Sequence, residues 1–70
     1  MVIEKLNYIV ECTTQDLIRY LIEDNQITME EAMDIVYNSK TFEQLYDFRT
    51  HLYYESSAYV YEYLKEELNP

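Results

Sequence analysis

Seventy residues carry fourteen acids, five bases and nine tyrosines, for a formal net charge of -9 at pH 7. A chain this short makes one domain, residues 1–70, and buries only about 60% of the surface its unfolded form exposes, so its core has little stability to spare. The negative balance excludes nucleic-acid backbones and anionic membrane surfaces as partners, because both need a cationic face.

Other broad classes fall away on composition. Apolar residues make up 49% of the chain, too many for a disordered acidic tail. No apolar run approaches the roughly 20 residues that span a bilayer. Met1-Val2-Ile3-Glu4-Lys5 lacks the cationic stretch and long apolar run of a secretory leader. Together with a free thiol, that leads us to expect a cytoplasmic protein. Cys12 alone cannot close an internal disulfide, and one histidine with one cysteine offers no metal site. Glycine is absent and the only proline is Pro70, which removes the usual hairpin turns. The expected class is all-α, a small helical bundle with a long N-terminal helix and about three shorter ones.

The first helix is expected from about Val2 to Asn25. Ile3, Leu6, Val10, Thr13, Leu17, Tyr20 and Leu21 recur at three- and four-residue steps and share one face, which Ile9 and Ile22 widen. Glu4, Lys5, Glu11, Asp16, Arg19 and Glu23 fall mostly outside it. Cys12-Thr13-Thr14 lowers helix propensity. One continuous helix is preferred over two halves with Thr14 capping the second.

After the polar link Asn25-Gln26, Thr28-Met29-Glu30-Glu31 reads as a capping box, with Ile27 and Ala32 at the staple positions. Met29, Ala32, Met33, Val36 and Tyr37 follow at helical spacing, and Glu30, Glu31 and Asp34 lie near the positive end of the helix dipole. Asn38 is expected to stop this helix in a left-handed conformation. Thr41-Phe42-Glu43-Gln44 repeats the cap signature ahead of a short helix with Phe42, Leu45 and Tyr46. Residues 47–54 read as a connecting loop. Ser56 or Ser57 then caps a last helix over about 57–68, with Val60, Tyr61, Leu64 and Leu68 inward, Tyr59 and Tyr63 on an adjoining face, and Glu62, Glu66 and Glu67 toward water.

Tyrosine is the residue in excess: Tyr53, Tyr54, Tyr59, Tyr61 and Tyr63 fill five of the eleven positions from 53 to 63. Such rings either border a small core with their hydroxyls wet or form a binding face, where tyrosine is enriched. Residues two apart on a helix point to roughly opposite sides, so Tyr59, Tyr61 and Tyr63 cannot all turn inward. His51 reads as a loop histidine. Cys12, beside Glu11, lacks the cationic neighbours that activate a thiol. Asp24-Asn25-Gln26 with Glu30 and Glu31 lacks the alternating oxygen ligands and central glycine of a calcium loop. Pairs such as Glu30/Asp34 and Glu62/Glu66 are like charges one helical turn apart, either a solvated face or an acidic patch for a basic partner. No phosphate loop or nucleophile–base pair is present, so no enzyme and no cofactor are expected.

From Ser39 onward the chain resembles small uncharacterised bacterial helical proteins known only as a domain of unknown function. The residues that carry the resemblance are Ala32, Tyr37-Asn38-Ser39, Leu45, Leu52-Tyr53 with Ser56, and Tyr59-Val60-Tyr61 with Leu64, and weaker similarity reaches back to about Leu6. The most specific stretch runs from Leu52 to Tyr61. The family pattern has a glycine where this chain has His51, and often a proline where it has Ser57. The resemblance implies a small cytoplasmic helical protein of a type sometimes encoded beside toxin-like genes, including ADP-ribosyltransferase-like ones.

These readings converge on a protein that acts by protein–protein binding, an antitoxin-like partner of a toxin or of another protein with a basic surface. Tyr53, Tyr54, Tyr59 and Tyr63 are expected to supply contacts, with Glu62 and Glu66 as an electrostatic rim. The alternative is a structural homo-oligomer in which the same rings meet their symmetry mates.

Overall fold

The structure, a computed structural model, describes residues 2–69, and the side chains of residues 2–4 and of Phe48 lie outside that description, so the inward position expected of Ile3 does too. The described residues form four helices and no strand: α1 (Val2–Asn25), α2 (Met29–Tyr37), α3 (Lys40–Leu45) and α4 (Ser57–Leu68). They are the small bundle that the periodicity predicts. Residues 47–54 are not a plain loop. They hold two single-turn 3₁₀ helices, Phe48–Thr50 and Leu52–Tyr54, the second of which seats Leu52 in the core.

At 1.5 Å per residue, α1 is about 36 Å long and accounts for the longest dimension of the molecule, 37 Å. It runs unbroken through Cys12-Thr13-Thr14 because Thr13 and Thr14 are buried, and their packing outweighs their weak helix propensity. Leu6, Val10, Leu17 and Leu21 form the α1 side of the core. Ala32 and Val36 of α2, Leu45 of α3, and Val60, Tyr61 and Leu64 of α4 complete it. Ile18 is also buried, beyond the predicted stripe, whereas Ile9 is exposed.

Gln26, with φ 53°, turns the chain out of α1 in the left-handed region. The capping box at α2 forms as expected: Thr28 Oγ1 accepts from the Glu31 amide at 3.1 Å, and the Thr28 amide donates to Glu31 Oε1 at 3.2 Å. Asn38 does close α2, but at φ -99° and ψ 4° rather than left-handed. Its amide side chain donates to the Asp34 carbonyl and carboxylate instead.

Ser39, not Thr41, caps α3 by accepting from the Phe42 amide at 3.1 Å. Thr41 is buried inside α3 and donates to Glu67 Oε1 at 2.8 Å. Glu67 therefore does not face water. Its carboxylate also accepts from the Lys40 and Thr41 amides at 2.8 and 2.9 Å, so the end of α4 caps the start of α3. Ser56 caps α4 by accepting from the Tyr59 amide, and Ser57 donates to Asp16 of α1 at 2.6 Å. Leu68, expected inward, is 41% exposed at the end of α4, at the rim of a depression that Leu21, Ile27 and Ile35 also line.

Candidate interaction surface

Helical period divides the tyrosines of α4. Tyr61 turns inward and is only 8% exposed, its ring 5.1 Å from that of Tyr20 and its hydroxyl donating to Asp24 Oδ2 at 2.7 Å. Burial first, and the bond to Asp24 second, push its phenol up to about 12. Lys65 lies over the same ring, 5.1 Å from its centroid, and pairs with Glu62 at 2.7 Å. Tyr61 is thus a structural residue that ties α4 to α1.

Tyr59 and Tyr63, one turn apart, stay at the surface, 46% and 42% exposed, with ring centroids 5.4 Å apart. The Tyr63 hydroxyl beside it raises the Tyr59 phenol above its ordinary value, as do burial and the negative charge of Glu55 and Glu66. Tyr53 and Tyr54 make a second pair on the 3₁₀ turn, stacked at 4.5 Å. Tyr54 is 76% exposed, whereas Tyr53 is half-buried and packs against the core.

His51 sets this second pair. It adopts φ 58° and ψ 14°, left-handed, and its ring stacks 6.4 Å from Tyr53 and 6.2 Å from Tyr54. Glycine takes that backbone conformation most readily, and a non-glycine residue pays roughly 1–2 kcal/mol for it. A histidine here exchanges backbone ease for a third ring. Of the two acids expected at the rim, Glu66 is exposed, while Glu62 is partly answered by Lys65. The structure therefore presents Tyr54, Tyr59 and Tyr63 outward as ring pairs and gives Tyr53 a supporting place beneath Tyr54.

A second apolar surface has no counterpart in the sequence reading. Ala32 and Val36 of α2 are buried in the core and Ile35 packs against it, while Met29 and Met33, 63% and 40% exposed, face outward with Tyr37. With Ile18 and Ile22 of α1 they line a groove of about 600 Å³. The visible signal was excess: α2 has apolar residues at 29, 32, 33, 35, 36 and 37, more than one covered face of a nine-residue helix can hide.

Elsewhere, Cys12 is exposed, and Asp24 and Asn25 are engaged by Tyr61 and by the Leu21 carbonyl. Among the described residues, no group of three or more His, Cys, Asp or Glu is placed to hold a metal ion, and no helix is long and apolar enough to cross a membrane. No family model, no curated protein and no solved structure matches the chain.

Proposed function

We propose that this chain is a non-catalytic cytoplasmic protein that acts by binding a positively charged protein through the ring pairs of the 3₁₀ turn and α4. The observation that supports this reading is the joint exposure of Tyr54, Tyr59 and Tyr63 within an acidic surrounding that includes Glu55, Glu62 and Glu66. Paired rings offer contact area at low entropic cost, since each ring already restrains its neighbour. The charge of -9 draws a cationic partner in and discourages a second copy of the same chain. The resemblance of the C-terminal half directs the choice of partner to toxin-like proteins, among them ADP-ribosyltransferase-like ones, which an antitoxin-like chain would neutralise.

The test is affinity capture with the tagged chain from its native cell. The expected result is a basic protein that elutes as salt rises and is lost when Tyr54 and Tyr63 are both changed to Ala. Recovery of this chain alone, with a stable dimer in sedimentation that unfolds on dissociation, would assign the rings to symmetry mates and sink the heterologous partner.

A further inference from the structure

The α1–α2 groove lies on a different face of α1 from the one that meets α4. At 100° per residue, Ile18, Ile22 and Gln15 fall within about 60° of arc, whereas Asp16, Tyr20 and Asp24, two of which bond to α4, point to another sector. Two smaller depressions of about 230 and 300 Å³ open from it at Tyr37, one walled by Phe42, Tyr46 and Glu11, the other by Glu30, Asp34 and Met33. The rings of Tyr37, Phe42 and Tyr46 meet edge to face at 5.1 and 5.4 Å and close one end. From Glu11 to Glu23 the α1 wall is about 18 Å long, the span of some 12 helical residues.

Charge names the occupant. The walls carry four acids, Glu11, Glu23, Glu30 and Asp34, and one base, Arg19, which Asp16 already holds at 3.2 Å. A second copy would bring another -9 toward this rim. A peptide that binds by adding a strand would need a sheet edge, and the described residues form no strand. Flexible methionine side chains suit a groove that receives the apolar stripe of a helix.

We infer that the α1–α2 groove is a docking site for a basic amphipathic helix of a partner protein, with Met29, Met33 and Tyr37 receiving its apolar stripe and Glu23, Glu30 and Asp34 facing its lysines or arginines. This rests on the reading of the chain as a binder of basic proteins, but it places the contact on a separate face.

The probe is a synthetic helical peptide of about 16 residues, leucines at i, i+3, i+4 and i+7 and lysines elsewhere, titrated against the purified full chain by fluorescence anisotropy. A matched peptide with glutamate for lysine is the control. The lysine peptide is expected to bind and the glutamate peptide not to. Met29→Ala with Met33→Ala should weaken binding about tenfold or more, while Tyr54→Ala with Tyr63→Ala leaves it within about twofold. Amide shifts on binding should concentrate in residues 15–23 and 29–37. Both methionines are exposed, so the double variant should retain its helical circular dichroism, and Glu23→Gln with Glu30→Gln supplies a second variant, expected to weaken binding and flatten its salt dependence.

The inference is overturned if the methionine variant binds as well as the parent, if the tyrosine variant loses as much, if the peptide does not bind, or if the groove proves to be a self-association face, seen as a dimer that Met33→Glu abolishes. Because these components are purified, such a failure leaves the cell-capture result for the tyrosine face standing, and failure of that capture leaves the peptide result standing.

Discussion

Thr14 carries a hydroxyl into the core, where Oγ1 is buried without a hydrogen-bond partner among the described residues. A desolvated hydroxyl without a bond costs about 1–3 kcal/mol, and a methyl of the same shape does not. Thr14→Val is therefore expected to raise stability by about 1 kcal/mol in urea unfolding, with unchanged helix content. A drop in stability would mean that the hydroxyl has an acceptor that the geometry does not reveal. Tyr61 is the opposite case, a buried phenol whose hydroxyl is satisfied by Asp24. Tyr61→Phe should cost about 1 kcal/mol at pH 7. The folded chain holds this proton up to about pH 12, where the ordinary value is 10.0, so the folded state binds more protons across that interval. The stabilisation is complete below pH 10 and fades as pH rises through about 12. Unfolding midpoints of parent and variant should therefore converge over that range and stay apart below it.

Between elements, the main device is the reach of α4 to α3 through Glu67. Burial alone would raise this carboxyl, but the Lys40 and Thr41 amides, the Thr41 hydroxyl and the Lys40 charge outweigh it and hold it below the usual carboxylate value. A six-residue helix has little stability of its own, so a charged cap supplied from another helix matters to it. Glu67→Gln should cost about 1 kcal/mol at pH 7. A depressed carboxyl stabilises the fold above its unfolded pKa, here near 4.5, and loses that effect as pH falls through its lower folded value. The gap between parent and variant in urea unfolding should thus be full at pH 7 and close in strong acid. A gap that persists in acid would assign the role of Glu67 to packing.

The same contact shows where sequence reading runs out. The α2 cap was legible because Thr28 and Glu31 stand three positions apart and answer each other alone. At α3 the expected cap, Thr41, lies inside the helix with its hydroxyl donating to Glu67, 26 residues away, and Ser39 caps instead, a pairing that local spacing does not reveal. The shared face of Tyr59 and Tyr63 was legible by helical spacing, whereas the stacking of Tyr53 on Tyr54 was not, because it depends on the 3₁₀ turn within residues that read as a plain loop. For the methionine groove only the apolar excess of α2 was legible, not which residues stay outside, because the face of α2 that meets the core is decided by its crossing with α1 and not by the period of α2.

On the scale of the whole molecule, the charge acts in two opposed directions. Of the five bases, Arg19, Arg49 and Lys65 are held by Asp16, Asp47 and Glu62, all in the same short stretches of chain, so little cation remains to offset the other acids. The body measures 37 × 23 × 19 Å, comparable to the Debye length of roughly 30 Å at 0.01 M salt and well above the 8 Å or so at 0.15 M. At low salt the acids repel one another across the entire fold, and at physiological salt they hardly do. Screening also weakens the exposed ion pairs, but each of those contributes little. Salt is therefore expected to stabilise the fold, raising the thermal midpoint by about 4 °C or more between these two conditions if about 1 kcal/mol of repulsion is relieved in a chain of this size. The same screening should weaken capture of a basic partner. A protein whose fold tightens and whose complex loosens over one salt titration separates the two roles of its charge. If the midpoint falls with salt instead, the local ion pairs outweigh the repulsion, and the charge cannot be the main cost of holding seventy residues folded.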